Sequence, residues 1–189
     1  MILAVDSSVL ALLINPDAVP SKDPATGSPL VYARERIAGL LTNMSANDTL
    51  IVPTPVLAEL LVKAGEGGPA LLQQLQGQAR IRVSPFDQRA AVELALMTRE
   101  ALNSGSKRGS SDQPWQKVKF DRQIISIARV AGAKRIYADD GGLTAFARQV
   151  GMDAISTWEL PIPEGIDNLF TMAGMLPDGR STRKPADQS

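Results

Sequence analysis

Short apolar runs alternate with amphipathic stretches along most of this chain. The run Ile2-Leu3-Ala4-Val5 predicts a buried strand over 1–5, and Ser7–Ile14 reads as a short apolar helix ending at Asn15-Pro16. Residues 17–28, rich in Pro, Asp, Ser and Gly, read as a loop. Leu30, Ala33, Ile37, Leu40 and Leu41 share one side of a helix predicted over 30–43. A second strand follows at 49–52, then a helix opened by Pro55, whose missing N–H is harmless in a first turn. Gly65–Gly68 interrupts that helix near Ala64, and a short helix over 71–75 and a third strand over 80–84 come next. Asp87 is placed to cap a helix running to Leu102. Residues 103–116 form a Ser/Gly/Lys-rich break. Ile124, Ile127, Ala128 and Ala131 then give helical spacing over 121–131, with Gly132 as its stop. A fourth strand (136–138), a helix (143–150) and a fifth strand (153–156) complete the pattern. Alternation of this kind predicts a parallel sheet covered by helices on both faces. From Pro177 onward the chain is polar, and disorder is expected there.

Acidic residues stand where such a sheet would gather them. Asp6 closes the first strand, Glu59 lies one turn into the helix after the second, and Asp139-Asp140 closes the fourth. Asp121 stands where a helix is predicted to open. Functional groups in open parallel sheets collect beyond the carboxyl ends of the strands. Carboxylates sharing one cleft resist ionising together unless a cation joins them. Each acid also has a plain structural role open to it. Asp6 is placed to cap the following helix, and Glu59 to pair with Lys63 at i+4. Asp121 is placed as an N-cap beside a Phe120–Ile125 staple, and Asp139-Asp140-Gly141-Gly142 suits a turn. Their joint position favours a hard-metal site, with Mg²⁺ or Mn²⁺ serving hydrolysis.

Composition narrows the chemistry. The 189 residues contain neither cysteine nor histidine. Disulfides, thiolate or imidazole metal ligands and a Ser-His-Asp triad are thereby excluded. Oxygen-only ligation suits Mg²⁺, Mn²⁺ or Ca²⁺. No run is long enough to span a bilayer and no secretion signal opens the chain, which points to the cytoplasm. Net charge is zero, yet between Lys107 and Arg135 eight basic residues face only Asp112 and Asp121. Lys107, Arg108, Lys117, Lys119 and Arg122 are therefore candidates for tracking a phosphate backbone, unless this stretch is only a solvated basic face. Trp115 would offer a stacking surface or anchor the loop.

Together these residues resemble the PIN-domain nucleases, and among them the VapC-type toxins of toxin–antitoxin pairs. Val5-Asp6-Ser7-Ser8-Val9-Leu10 is similar to that family's opening motif, with Ser8 where Asn is frequent. Pro53–Leu60, carrying Glu59, resembles its second acidic motif, and Asp121–Ala128 its third. Ile136-Tyr137-Ala138-Asp139-Asp140 resembles the fourth, with Asp140 in the main acidic position. The resemblance spans about residues 1–157. It implies a PIN-like three-layer α/β/α fold with a central, mostly parallel five-stranded sheet. The domain would occupy 1–158, with 159–189 an extension.

The resemblance further implies a metal-dependent endoribonuclease with Asp6, Glu59, Asp121 and Asp140 as catalytic acids. Asp6, Asp121, Asp140 and Asp139 would hold Mg²⁺ or Mn²⁺, and Ser8 would support them from behind. RNA substrate, a small antitoxin protein and a homodimer are the partners implied. A catalytically silent protein- or RNA-binding module is the competing reading. A phosphatase would be expected to show Asp-x-Asp after the first strand, where this chain has Asp6-Ser7-Ser8, and there is no P-loop motif.

Overall fold

The computed structural model describes residues 1–15 and 17–164. The tail expected to be disordered, from about residue 177, lies outside them. Five strands form one sheet in the order β3-β2-β1-β4-β5: β1 (Ile2–Val5), β2 (Thr49–Pro53), β3 (Ile81–Ser84), β4 (Arg135–Tyr137) and β5 (Asp153–Ile155). Every pairing is parallel. β1 is central, with Leu3 opposite Leu50 of β2 on one side and Ala4 opposite Ile136 of β4 on the other. Leu3, Ala4 and Val5 are almost wholly buried, as a strand covered on both faces requires.

Among the described residues seven α-helices join and cover the strands: α1 (Ser7–Ile14), α2 (Ala33–Asn43), α3 (Thr54–Ala64), α4 (Gly68–Gln76), α5 (Gln88–Asn103), α6 (Trp115–Val130) and α7 (Gly141–Gln149). α1 packs on α2 and α3, α3 on α4, and α6 lies between α5 and α7. Asp87 caps α5 as expected, its carboxylate accepting the Ala90 N–H at 2.9 Å. Gly132 ends α6 with φ +84°. Its N–H reaches the Arg129 carbonyl and the Ala133 N–H reaches that of Ala128, the paired closure that a left-handed residue permits.

Several element ends differ from expectation, and two of the shifts matter here. α2 starts at Ala33 rather than Leu30, because Tyr32 takes a left-handed backbone (φ 57°) that a helix cannot continue through. Leu30 instead gives its N–H to the Ser21 carbonyl and buries its side chain. More consequentially, α6 begins at Trp115, after Pro114. Asp121 is therefore not an N-cap and no Phe120–Ile125 staple forms; it sits almost two turns into the helix. Lys117 pairs with it one turn earlier at 2.7 Å, which supports the added turns. The break predicted over 103–116 shrinks to 104–114.

This topology decides where a site can form. Strand order runs from β1 through β2 to β3, then restarts with β4 on the other side of β1. The crevice at the carboxyl ends of β1 and β4 is the switch point where such sheets take ligands.

Candidate functional site

Asp6 and Asp139 leave adjacent strand ends at that crevice. The Asp6 N–H donates to the Tyr137 carbonyl at 2.9 Å, continuing the β1–β4 ladder. Asp6 occupies the N-cap position of α1 without a well-formed side-chain capping hydrogen bond, although the Ser7 and Ser8 N–H groups favour its charged form. Ser8 donates its hydroxyl proton to Asp6 Oδ2 at 3.1 Å and accepts the Asp139 N–H at 3.3 Å. Ser8 thus ties the ends of β1 and β4 together and orients the Asp6 carboxylate.

Asp6 is 7% exposed. Burial pushes its pKa up; the Ser7 and Ser8 groups at the head of α1 oppose this, and the Glu59 carboxylate adds to it. Glu59 forms no ion pair with Lys63 among the described residues; half-buried, it lines the same cleft as Asp6. That cleft, of about 360 Å³, is lined by Asp6, Glu59, Lys117, Asp139 and Asp140 together with Ser7, Ser8 and Ser21, with Phe120 and Ile124 as apolar lining.

Asp140 does two things. Its Oδ1 accepts the Leu143 N–H at 2.8 Å, capping α7. Its Oδ2 meets the Lys117 ammonium at 3.1 Å. Burial works against its charge, but the Leu143 N–H and Lys117 outweigh it and hold the pKa down. Asp121 is buried, and desolvation pushes its pKa up despite Lys117, with Asp140 and Asp6 adding repulsion. Gly142 lets these carboxylates approach: a Cβ there would lie 3.2 Å from Asp140 Oδ1 and 3.6 Å from Asp121 Oδ2. Asp121 does not line the cleft of Asp6, although the Asp6 charge still acts on it. Asp121 opens instead toward a neighbouring cleft of about 660 Å³ lined also by Arg108 and Arg148.

Asp139, expected as a metal ligand, lines the same cleft as Asp6, and both of its oxygens already accept hydrogen bonds. One of its oxygens accepts the Thr157 N–H at 2.7 Å and the other the Thr157 hydroxyl at 2.9 Å. Asp139 therefore fastens the chain after β5 to the end of β4. Thr157, buried and far along the chain, carried no local signal of this role.

The basic residues divide. Lys107, Arg108 and Lys119 are exposed. Arg122, expected to face substrate, is instead 1% exposed; its guanidinium lies 5.7 Å from the Trp115 ring centre and 5.2 Å from that of Phe146. Adjacent helical residues point about 100° apart, so with Asp121 toward the acids Arg122 turns beneath the 104–114 loop. Lys107 covers Trp115 at 5.0 Å, so the indole anchors the loop and is not presented for stacking. Lys117 lies among the acids and not on an outer phosphate track.

The donor set is all oxygen and suits a hard cation, and a cationic group already sits between Asp121 and Asp140. As positioned, no three acids among the described residues form a ready ligand set. An all-oxygen set of this kind is the chemistry Mg²⁺ or Mn²⁺ takes, and such an ion would need the side chains around Lys117 to rearrange.

No protein-family model matches the chain, and no curated protein is similar to it in sequence. Solved structures do match it in three dimensions. VapBC-1 from nontypeable Haemophilus influenzae is similar at TM-score 0.55 and 16% identity, over 83% of this chain and 98% of that one. VapBC2 from Rickettsia felis, bound to a promoter DNA fragment, matches at TM-score 0.53 and 16% identity, over 82% and 98%. DNA-bound VapBC from Salmonella typhimurium matches at TM-score 0.50 and 16% identity, over 83% and 98%. The PIN-like α/β/α fold expected from the sequence is thereby borne out, and the chain shares it with these VapBC proteins.

Proposed function

We propose that this chain is a divalent-metal-dependent endoribonuclease and the toxin of a toxin–antitoxin pair. One observation carries the reading: Asp6, Glu59 and Asp140, distant in sequence, line one crevice at the switch point of a PIN-like sheet, and Asp121, in the adjoining cleft, is near enough for the charges of Asp140 and Asp6 to act on it. The raised pKa of Asp6 and of Asp121 supports it, since carboxylates held against their ionisation mark a place for a cation.

Asp6, Asp121 and Asp140 would hold Mg²⁺ or Mn²⁺. The ion would stabilise charge on the phosphate and acidify the attacking water. Glu59, half-buried in the same cleft, would accept a proton from that water or orient it. Ser8 fixes the Asp6 carboxylate by its hydrogen bond. Asp139 keeps the cleft wall closed through Thr157. RNA is the substrate that the resemblance implies. The VapBC assemblies of the same fold support a small antitoxin as partner. A homodimer is part of the same proposal.

Incubation of the protein with structured RNAs, tRNA included, tests this. Mg²⁺ or Mn²⁺ should produce cleavage that EDTA abolishes. Asp6→Asn and Asp121→Asn should each lower it by about 100-fold or more while circular dichroism stays unchanged. Undiminished cleavage by Asp6→Asn would remove that residue from the chemistry.

One observation favours the second reading, a silent binding module: Lys117 already neutralises two of the acids. Titration calorimetry with Mn²⁺ separates the two, because a silent module should bind no metal in the cleft.

A further inference from the structure

Among the described residues lining the acidic cleft, Lys117 is the only one with a cationic side chain. Its Nζ lies 2.7 Å from Asp121 Oδ1 and 3.1 Å from Asp140 Oδ2, joining an acid on α6 to one at the head of α7. The gap it fills admits one cation. An ammonium needs N···O separations of about 2.7–2.9 Å, whereas Mg²⁺ draws oxygens to about 2.0–2.1 Å, so the two cannot share it.

The three partners differ in freedom. Asp121 is held on α6 with its side chain 6% exposed, too buried to be left ionised and unpaired. Asp140 has its other oxygen fixed by the Leu143 N–H. Lys117 is 39% exposed on a flexible four-carbon stem and can swing outward. The carboxylates would therefore keep their places if the ammonium left, and Asp121 would then need another cation.

We propose that Lys117 is a built-in counter-ion that competes with divalent metal for the position between Asp121 and Asp140, so that metal binds by displacing it. The proposal rests on the metal-dependent reading above. Lys117 is thus a positioning residue: it preserves the spacing of the acids without metal, and it raises the apparent Kd for metal by the reciprocal of the fraction of molecules in which the position is open.

The test is calorimetric titration of the full chain with Mn²⁺ alone, beside thermal melts in EDTA and in saturating Mn²⁺. Lys117→Gln should bind Mn²⁺ about tenfold more tightly, the gain expected if roughly one wild-type molecule in ten has the position open. It should also melt below wild type in EDTA and recover most of the difference in Mn²⁺. A residue that only braced the helix would lower stability in both buffers and leave metal affinity unchanged or weaker; that result overturns the proposal. Lys117→Arg keeps the charge and should bind Mn²⁺ no more tightly than wild type, so tighter binding by this variant would also overturn it. If neither wild type nor Lys117→Gln binds Mn²⁺, the metal-dependent reading itself fails and takes this proposal with it.

Discussion

Asp6 and Asp121 are held in the fold at a cost, because burial penalises their ionised forms and neighbouring carboxylates add to the penalty. A raised carboxyl pKa means that the folded protein binds its proton more readily than the unfolded chain does. The stability this confers is complete below the ordinary value of 3.8 and is lost as pH rises through the folded-state pKa. At neutral pH without metal, Asp6→Asn should therefore raise the melting temperature by ~2–4 °C, the shift that about 1 kcal/mol produces in a domain of this size. The gain should fade as the buffer is acidified toward pH 4. A melting series in EDTA from pH 7 to pH 4 measures this, and an advantage that grew in acid would contradict it. Arg122 teaches a different lesson. Its buried charge meets aromatic faces and, among the described residues, no carboxylate, so a basic residue next to an essential acid need not serve the same site.

At the scale of elements, α6 and α7 hold the acidic half of the site in register. α6 supplies both Asp121 and its partner Lys117, and α7 is capped by Asp140, which also faces Lys117. The two roles of Asp140 separate by substitution. Asp140→Asn keeps an acceptor for the Leu143 N–H and loses the charge, whereas Asp140→Ala loses both. Asp140→Ala should cost about 1 kcal/mol more than Asp140→Asn, the usual worth of an N-cap, read from chemical denaturation. Equal losses would show that the cap contributes little. Elements were legible in proportion to their local signals. α1 runs from Ser7 to Ile14 as its apolar run between Asp6 and Asn15-Pro16 predicts. The start of α6 was not legible, because Asp121 has the chemistry of a cap and only its burial against Lys117 shows that it is not one.

Across the whole molecule, parallel topology brings acids from four segments to two adjoining clefts, while much of the basic stretch is used internally. Arg129 pairs with Glu93 and Arg135 with Asp153, and Arg122 and Lys117 are engaged as described. Lys107, Arg108 and Lys119 remain exposed beside the cleft-bearing half. If RNA lies across this side, Lys107→Gln with Arg108→Gln should reduce the slope of log K against log salt by about 1–2, as loss of one or two phosphate contacts requires. An unchanged slope would move the RNA track elsewhere. No helix among the described residues is long and apolar enough to cross a membrane.

The amino-acid order alone determined the alternation of strands and helices, the parallel sheet and the exclusion of thiol and imidazole chemistry. Those follow from periodicity and residue type, which are local. It also marked Asp6, Glu59, Asp121 and Asp140, because an acid after an apolar strand or on an apolar-faced helix is visible in one dimension. Tertiary structure alone decided which partner each acid meets. Ser8 bridges Asp6 and the Asp139 backbone, Thr157 takes both oxygens of Asp139, and Lys117 joins Asp121 to Asp140. Most of these contacts span long separations in the chain, and burial sets their strength, so no reading of neighbours along the sequence could have supplied them.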